Sequence, residues 1–113
     1  MNVFFAGGGT GGHLYPALAI ARAMVRRDAS VRAHFIGARR GIEREVLPTT
    51  EFAHTLVDAH PLYRSGVWRN WQTLRGGVSA WRDIGTLAAD FAPRLIVGTG
   101  GYASGVALAW AVA

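Results

Sequence analysis

Asn2-Val3-Phe4-Phe5-Ala6-Gly7-Gly8-Gly9-Thr10-Gly11-Gly12-His13 begins with a short, almost wholly apolar run and then turns abruptly to glycine. Asn2 to Ala6 has the length and composition of a buried strand. Beyond it, Leu14, Leu18, Ala21 and Val25 recur on one face of a helix, with Pro16 tolerated because it is expected in the first turn. Strand, glycine turn and helix in this order form the first half of a βαβ unit. Five of the six residues from Gly7 to Gly12 are glycine, more than a tight turn requires. Glycines let backbone N–H groups approach a ligand, and a helix start adds unpaired donors and about half a positive charge. The loop is suited to phosphate; the plainer reading is a turn with no ligand.

The same alternation continues outward. Val31 to Ile36 reads as a second strand, Gly41 to Leu47 as a short helix stopped near Pro48, and Phe52 to Val57 as a third strand. Val67, Trp71, Leu74, Val78, Trp81, Ile84, Ala88 and Phe91 form a long helical stripe, expected to divide into two pieces at Gly76-Gly77. Leu95 to Val97 is a fourth strand, and Ala103 to Ala113 a fourth helix. The fold class is α/β, a Rossmann-like doubly wound parallel sheet with helices on both faces. The usual order places strands 1 and 4 side by side, where crossovers diverge and ligands bind. Only these two strands are followed by glycine-rich loops, the second being Gly98-Thr99-Gly100-Gly101-Tyr102-Ala103-Ser104-Gly105. In this order strand 4 is an edge, although Leu95-Ile96-Val97 has a central strand's composition. Residues 1–113 therefore read as the front part of a larger protein.

Composition narrows the function classes. Half of the 113 residues are hydrophobic and 17% are charged, which excludes a disordered polar tail. There is no cysteine, hence no disulfide framework or thiolate zinc site. The apolar run Val106 to Ala113 is far shorter than the ~20 residues that span a bilayer. No signal peptide is visible, so the expected compartment is the cytoplasm. All twelve basic residues are arginine and the net charge is +5. Arg64, Arg69, Arg75 and Arg82 lie between Asp58 and Asp83 with no acid among them. A localised basic patch points to an anionic partner. The segment from Leu62 to Arg75 also holds Tyr63, Trp68 and Trp71. Aromatic rings beside arginines favour the surface of an anionic membrane, with Arg64, Val67, Trp68, Arg69, Trp71, Leu74 and Arg75 as the contact. The plainer alternative is a helix packed on the sheet. A nucleic-acid binder is compatible with the charge, but no reading motif is present, and no nucleic acid is expected as a partner.

Two sites of chemistry remain. Gly7, Gly9 and Gly12 satisfy the dinucleotide fingerprint, but the end of strand 2 reads Ile36-Gly37-Ala38-Arg39-Arg40, without the acid that would bind a ribose. Arg39 and Arg40 suit a 2′-phosphate instead, so the alternative function is an NADP-binding oxidoreductase domain. His13 stands where the first loop becomes helix. A helix N-terminus disfavours an imidazolium, leaving a neutral ring able to accept a proton as a general base. Equally, it is a histidine that only organises the loop. His34 reads as structural, and His54 and His60 are scattered, with nothing to suggest a metal site.

Gly8-Gly9-Thr10-Gly11-Gly12-His13 followed by Tyr15-Pro16-Ala17-Leu18-Ala19, together with the second glycine loop, resembles the paired loops of the MurG family. These are the bacterial N-acetylglucosaminyltransferases that make lipid II for peptidoglycan. Val106 departs mildly from the family, where proline is common. The resemblance implies an inverting, metal-independent, cofactor-free glycosyltransferase of the two-domain GT-B type. Residues 1–113 would be the front of its N-terminal, acceptor-binding domain, without the C-terminal UDP-sugar-binding domain and inactive alone. Such an enzyme moves N-acetylglucosamine from UDP-N-acetylglucosamine to the muramoyl 4-hydroxyl of lipid I, working peripherally at the cytoplasmic face of the cell membrane. By the same resemblance Thr10, Gly11 and Gly12 contact the donor, and His13 is the catalytic base or orients the sugar. Gly8, Gly9, Gly100, Gly101, Tyr102 and Ser104 are then expected to cradle the acceptor diphosphate.

Overall fold

The computed structural model describes residues 1–8, 11–57 and 67–112; the side chains of residues 67–74, 76, 77, 102, 103, 105, 106 and 109 fall outside the description. In chain order the elements are β1 (Asn2–Gly7), α1 (Gly11–Arg27), β2 (Arg32–Ala38), α2 (Glu43–Val46), a 3-10 turn (Leu47–Thr49), β3 (Ala53–Val57), α3 (Val67–Phe91), β4 (Leu95–Gly100) and α4 (Tyr102–Ala111). The strands form one sheet in the order β3-β2-β1-β4, and every pairing is parallel.

β1 explains why the sheet needs cover on both sides. Successive side chains of a strand point to opposite faces, and here both sets are apolar. Val3 and Phe5 enter one core with Leu14, Ala17, Leu18 and Ala21 of α1, and Phe35 and Leu47 join them. Phe4 and Ala6 enter the other, with Ala80 and Ile84 of α3 and Ala107 of α4. Thus α1 covers one face and α3 with α4 the other. The chain winds from β1 outward to β3, then crosses back by the opposite face to place β4 on the far side of β1. The carboxyl ends of β1 and β4 form the topological switch point. β4 is the outer strand of the described sheet, and Leu95 is 42% exposed.

Three details differ from the sequence expectations. α1 starts at Gly11, so Pro16 lies in the second turn, where it leaves the Gly12 carbonyl without its helical donor. α3 is not divided at Gly76-Gly77 but continues from Val67 to Phe91. Each helical glycine costs about 1 kcal/mol relative to alanine, an amount that the packing of Ala80, Ile84, Leu87, Ala88 and Phe91 on the sheet readily offsets. β4 runs on through Gly98 and Thr99 to Gly100, so the first three residues of the expected second loop are strand. α3 ends without a glycine: Ala92 takes φ 51°, and the Asn2 side chain donates to the Phe91 carbonyl.

His34 on β2 sits against the rings of Phe4 and Phe91, with Nε2 2.8 Å from Thr55 Oγ1. Burial holds its pKa below the ordinary 6.5, and the neighbouring His54 lowers it further. The neutral ring is thus the folded form. Above pH 6.5 both folded and unfolded chains carry it neutral. As pH falls below 6.5 the unfolded chain takes up a proton that the folded one resists, and stability is lost. The unfolding midpoint in urea is expected to drop between about pH 7.5 and 5.5, and His34→Gln to flatten that drop. An unchanged slope in the variant would contradict this.

Candidate functional site

The sequence places the two glycine loops at adjacent strand ends, and the structure shows how tightly they meet. The pairing of β1 with β4 slips by one residue: Ala6 is opposite Gly98, but Gly7 is opposite Gly100. Thr99 is the extra residue of this bulge, and bulges re-aim side chains at strand ends. The Gly8 N–H donates to the Gly100 carbonyl at 3.2 Å across the junction. Thr99 Oγ1 donates to the His13 carbonyl at 2.6 Å, while His13 Nδ1 lies 3.2 Å from the Thr99 carbonyl. A carbonyl only accepts, so Nδ1 carries the proton and Nε2 remains as the acceptor of the neutral ring. The two residues hold each other reciprocally, and with the Gly8–Gly100 bond they make one seam from two loops.

This approach has no room for side chains. A Cβ at Gly101 would overlap the Gly8 carbonyl oxygen, one at Gly7 would overlap Thr99 Oγ1, and one at Gly100 would come 2.5 Å from His13 Nδ1. Gly100 and Gly101 also have φ of 112° and 90°, a region that L side chains rarely adopt. Gly11 differs, since its Cβ would only touch the Tyr15 ring at 3.1 Å, and that ring is 55% exposed. Ser104 is buried, and its Oγ accepts the Gly100 N–H at 3.3 Å, bracing the loop from beneath. α1 and α4 both begin at this seam, neither with an acid in its first turn. Two positive helix ends therefore face the same crevice. The arrangement suits an anion with several oxygens, beside an imidazole whose accepting nitrogen is fixed by its partner.

Gly8, Gly11, Gly12, His13, Gly100, Gly101 and Ser104 are thus gathered at one end of the sheet. Gly9, Thr10 and Arg64 lie outside the described residues, as do the side chains of Tyr102, Val67, Trp68, Arg69, Trp71 and Leu74. Arg75 is exposed on α3. One participant had no place in the sequence reading. Glu43, at the start of α2, is fully buried, and its Oε1 accepts the Ala38 N–H at 3.0 Å. A carboxylate in Gly41-Ile42-Glu43-Arg44-Glu45 looks like part of a solvated helix face, and only the flanking Gly37 and Gly41 hinted at a close approach.

Comparison with known proteins bears on the fold and the family. The glycosyltransferase family 28 N-terminal domain matches residues 3–112. A UDP-N-acetylglucosamine–N-acetylmuramyl-(pentapeptide) pyrophosphoryl-undecaprenol N-acetylglucosamine transferase of Bdellovibrio bacteriovorus is 40% identical over 105 residues, covering 92% of this chain and 29% of that protein. The protein of the same name from Moorella thermoacetica is 42% identical over 109 residues, covering 93% of this chain and 28% of its own. The crystal structure of Acinetobacter baumannii MurG superposes with a TM-score of 0.73 at 25% identity, over 98% of this chain and 32% of that one. The chain spans about three tenths of the length of the curated relatives it matches.

The seam makes an unequal demand on its glycines. Gly101→Ala is expected to lower the unfolding free energy by about 1–3 kcal/mol, from backbone strain and overlap with the Gly8 carbonyl. Gly11→Ala should change it by less than about 1 kcal/mol, because Tyr15 can turn aside and alanine favours the helix. Denaturant titration of the two variants checks this, and equal costs would contradict it.

Proposed function

The chain belongs to glycosyltransferase family 28, as an N-terminal domain, and from that premise we propose that it forms the acceptor side of an inverting N-acetylglucosaminyltransferase of peptidoglycan synthesis. The observation that carries the reading is the seam: two glycine loops, two helix N-termini and His13 converge where β1 and β4 end. The acceptor is lipid I, a muramoyl sugar on a polyprenyl diphosphate, and the donor is UDP-N-acetylglucosamine. The diphosphate lies along the loops at Gly8, Gly9, Gly100 and Gly101, with Tyr102 at the start of α4 and the buried Ser104 holding Gly100 in place. Thr10, Gly11 and Gly12 contact the donor, whose uridine is held by a second domain of the GT-B type.

In the reaction the 4-hydroxyl oxygen attacks the anomeric carbon from the face opposite the UDP. The new C–O bond forms as the bond from that carbon to the β-phosphate oxygen breaks, and UDP leaves with the electron pair. The hydroxyl proton passes to His13 Nε2, the ring nitrogen that the Thr99 carbonyl leaves as acceptor. Helix N-termini near the diphosphates reduce the repulsion between two anionic substrates brought together. Positioning between two domains supplies much of the rate, so residues 1–113 alone are expected not to turn over.

The basic, aromatic stretch from Arg64 to Arg75 fits a peripheral contact with the cytoplasmic face of an anionic membrane, where a polyprenyl-linked acceptor resides. Its support is the charge distribution and the helical backbone from Val67. Among the described residues no helix is long and apolar enough to cross a membrane. The NADP alternative is set aside, because the family match covers both glycine loops and accounts for the second, which a dinucleotide site leaves unexplained.

The test is a chimera in which residues 1–113 replace the matching segment of the Moorella thermoacetica relative. It is expected to transfer N-acetylglucosamine from the UDP-sugar to a lipid I analogue, and His13→Ala to lower kcat by about 10²–10⁴. A folded, active chimera whose His13→Ala variant loses less than about tenfold would remove His13 from the role of base.

A further inference from the structure

We infer that Glu43 is a positioning residue for the anion-facing loop, its buried carboxylate setting the height at which the chain leaving β1 meets the end of β4. Three glycines, Gly8, Gly37 and Gly41, leave the space that the Glu43 side chain occupies. A Cβ at Gly8 would overlap Glu43 Oε1, and one at Gly41 would overlap Oε2. A Cβ at Gly37 would come 2.7 Å from the Glu43 Cβ. Gly8 leaves β1, Gly37 lies near the end of β2, and Gly41 belongs to the turn before α2. The carboxylate therefore fills a cradle that only three missing side chains leave open. It is fully buried, and it ties itself to the sheet by accepting the Ala38 N–H.

A fully buried carboxylate is costly to desolvate, and such groups are held by hydrogen bonds where they persist. Apolar neighbours Leu47, Ile42 and Val46 surround the same turn, and an apolar side chain there would give the core as much. What an apolar residue lacks is an acceptor for the Ala38 N–H, and a planar group that fits flat against Gly8. Gly8 is also the residue whose N–H crosses to the Gly100 carbonyl. Glu43 thus presses on the first loop from the side opposite β4, and the seam is clamped between the two.

The inference rests on the proposed function only in treating the seam as the anion site. It is tested in the full 113-residue chain, with inorganic pyrophosphate as probe and the amide resonances of Gly8, Gly11, Gly100 and Gly101 as reporters. Glu43→Ala is expected to shift these resonances while those of Phe4 and Phe35 in the sheet stay in place, and to weaken pyrophosphate binding about tenfold, the value of one charge-assisted hydrogen bond. Glu43→Gln keeps an acceptor for the Ala38 N–H and should restore the loop resonances. Gly41→Ala, which leaves the carboxylate but takes its space, should reproduce the Glu43→Ala shifts, and it decides the matter if Glu43→Ala does not fold. Unchanged loop resonances in a folded Glu43→Ala or Gly41→Ala chain would overturn the inference. Wild-type chain that ignores pyrophosphate would count against the proposed function, while the loop resonances would still decide the role of Glu43.

Discussion

A glycine has no side chain to keep two backbones apart, and at Gly7, Gly100 and Gly101 this lets the ends of β1 and β4 close until the Gly8 N–H meets the Gly100 carbonyl. The rest of the site depends on that closure. It brings the carbonyl of Thr99 to the ring of His13 and the hydroxyl of Thr99 to the carbonyl of His13. It sets the starts of α1 and α4 at the same end of the sheet. A side chain at any of these three glycines would meet the facing loop, at Gly7 the Thr99 hydroxyl, at Gly100 the His13 ring and at Gly101 the Gly8 carbonyl.

The sheet makes this local arrangement affordable. β1 is buried on both faces, with Val3 and Phe5 in one core and Phe4 and Ala6 in the other. A strand so fixed is a rigid post for the loop that follows it. β4 is anchored through Ile96 toward α3 and Val97 toward α1. Strain from positive φ at Gly100 and Gly101 is avoided because both are glycine, and Ser104 satisfies an amide that the bulge would otherwise leave without a partner.

Much of this was legible in the sequence, for identifiable reasons. Short apolar runs located the strands, the 3.6-residue period located the helices, and glycines after strands 1 and 4 located the crevice. The details that escaped depend on contacts between distant segments. Gly76-Gly77 looks like a break because local propensity opposes helix there, but α3 is held by its packing on the sheet. Pro16 was expected in the first turn of the helix, whereas α1 begins at Gly11 and tolerates the missing donor in its second turn. Thr99 looked like a loop hydroxyl, yet it is the bulge residue that fixes His13. Glu43 could not be recognised at all, since its burial depends on Gly8, Gly37 and Gly41 coming together in three dimensions.

The end of β4 orients the imidazole at the head of α1. Long-range 1H–15N correlation on the His13 ring of the folded chain, at about pH 8 where histidine is neutral, tests it most directly. The expected result is a protonated Nδ1, donating to the Thr99 carbonyl, and an Nε2 without a proton. A proton found on Nε2, with Nδ1 bare, would mean that the seam does not hold the ring and would contradict the account.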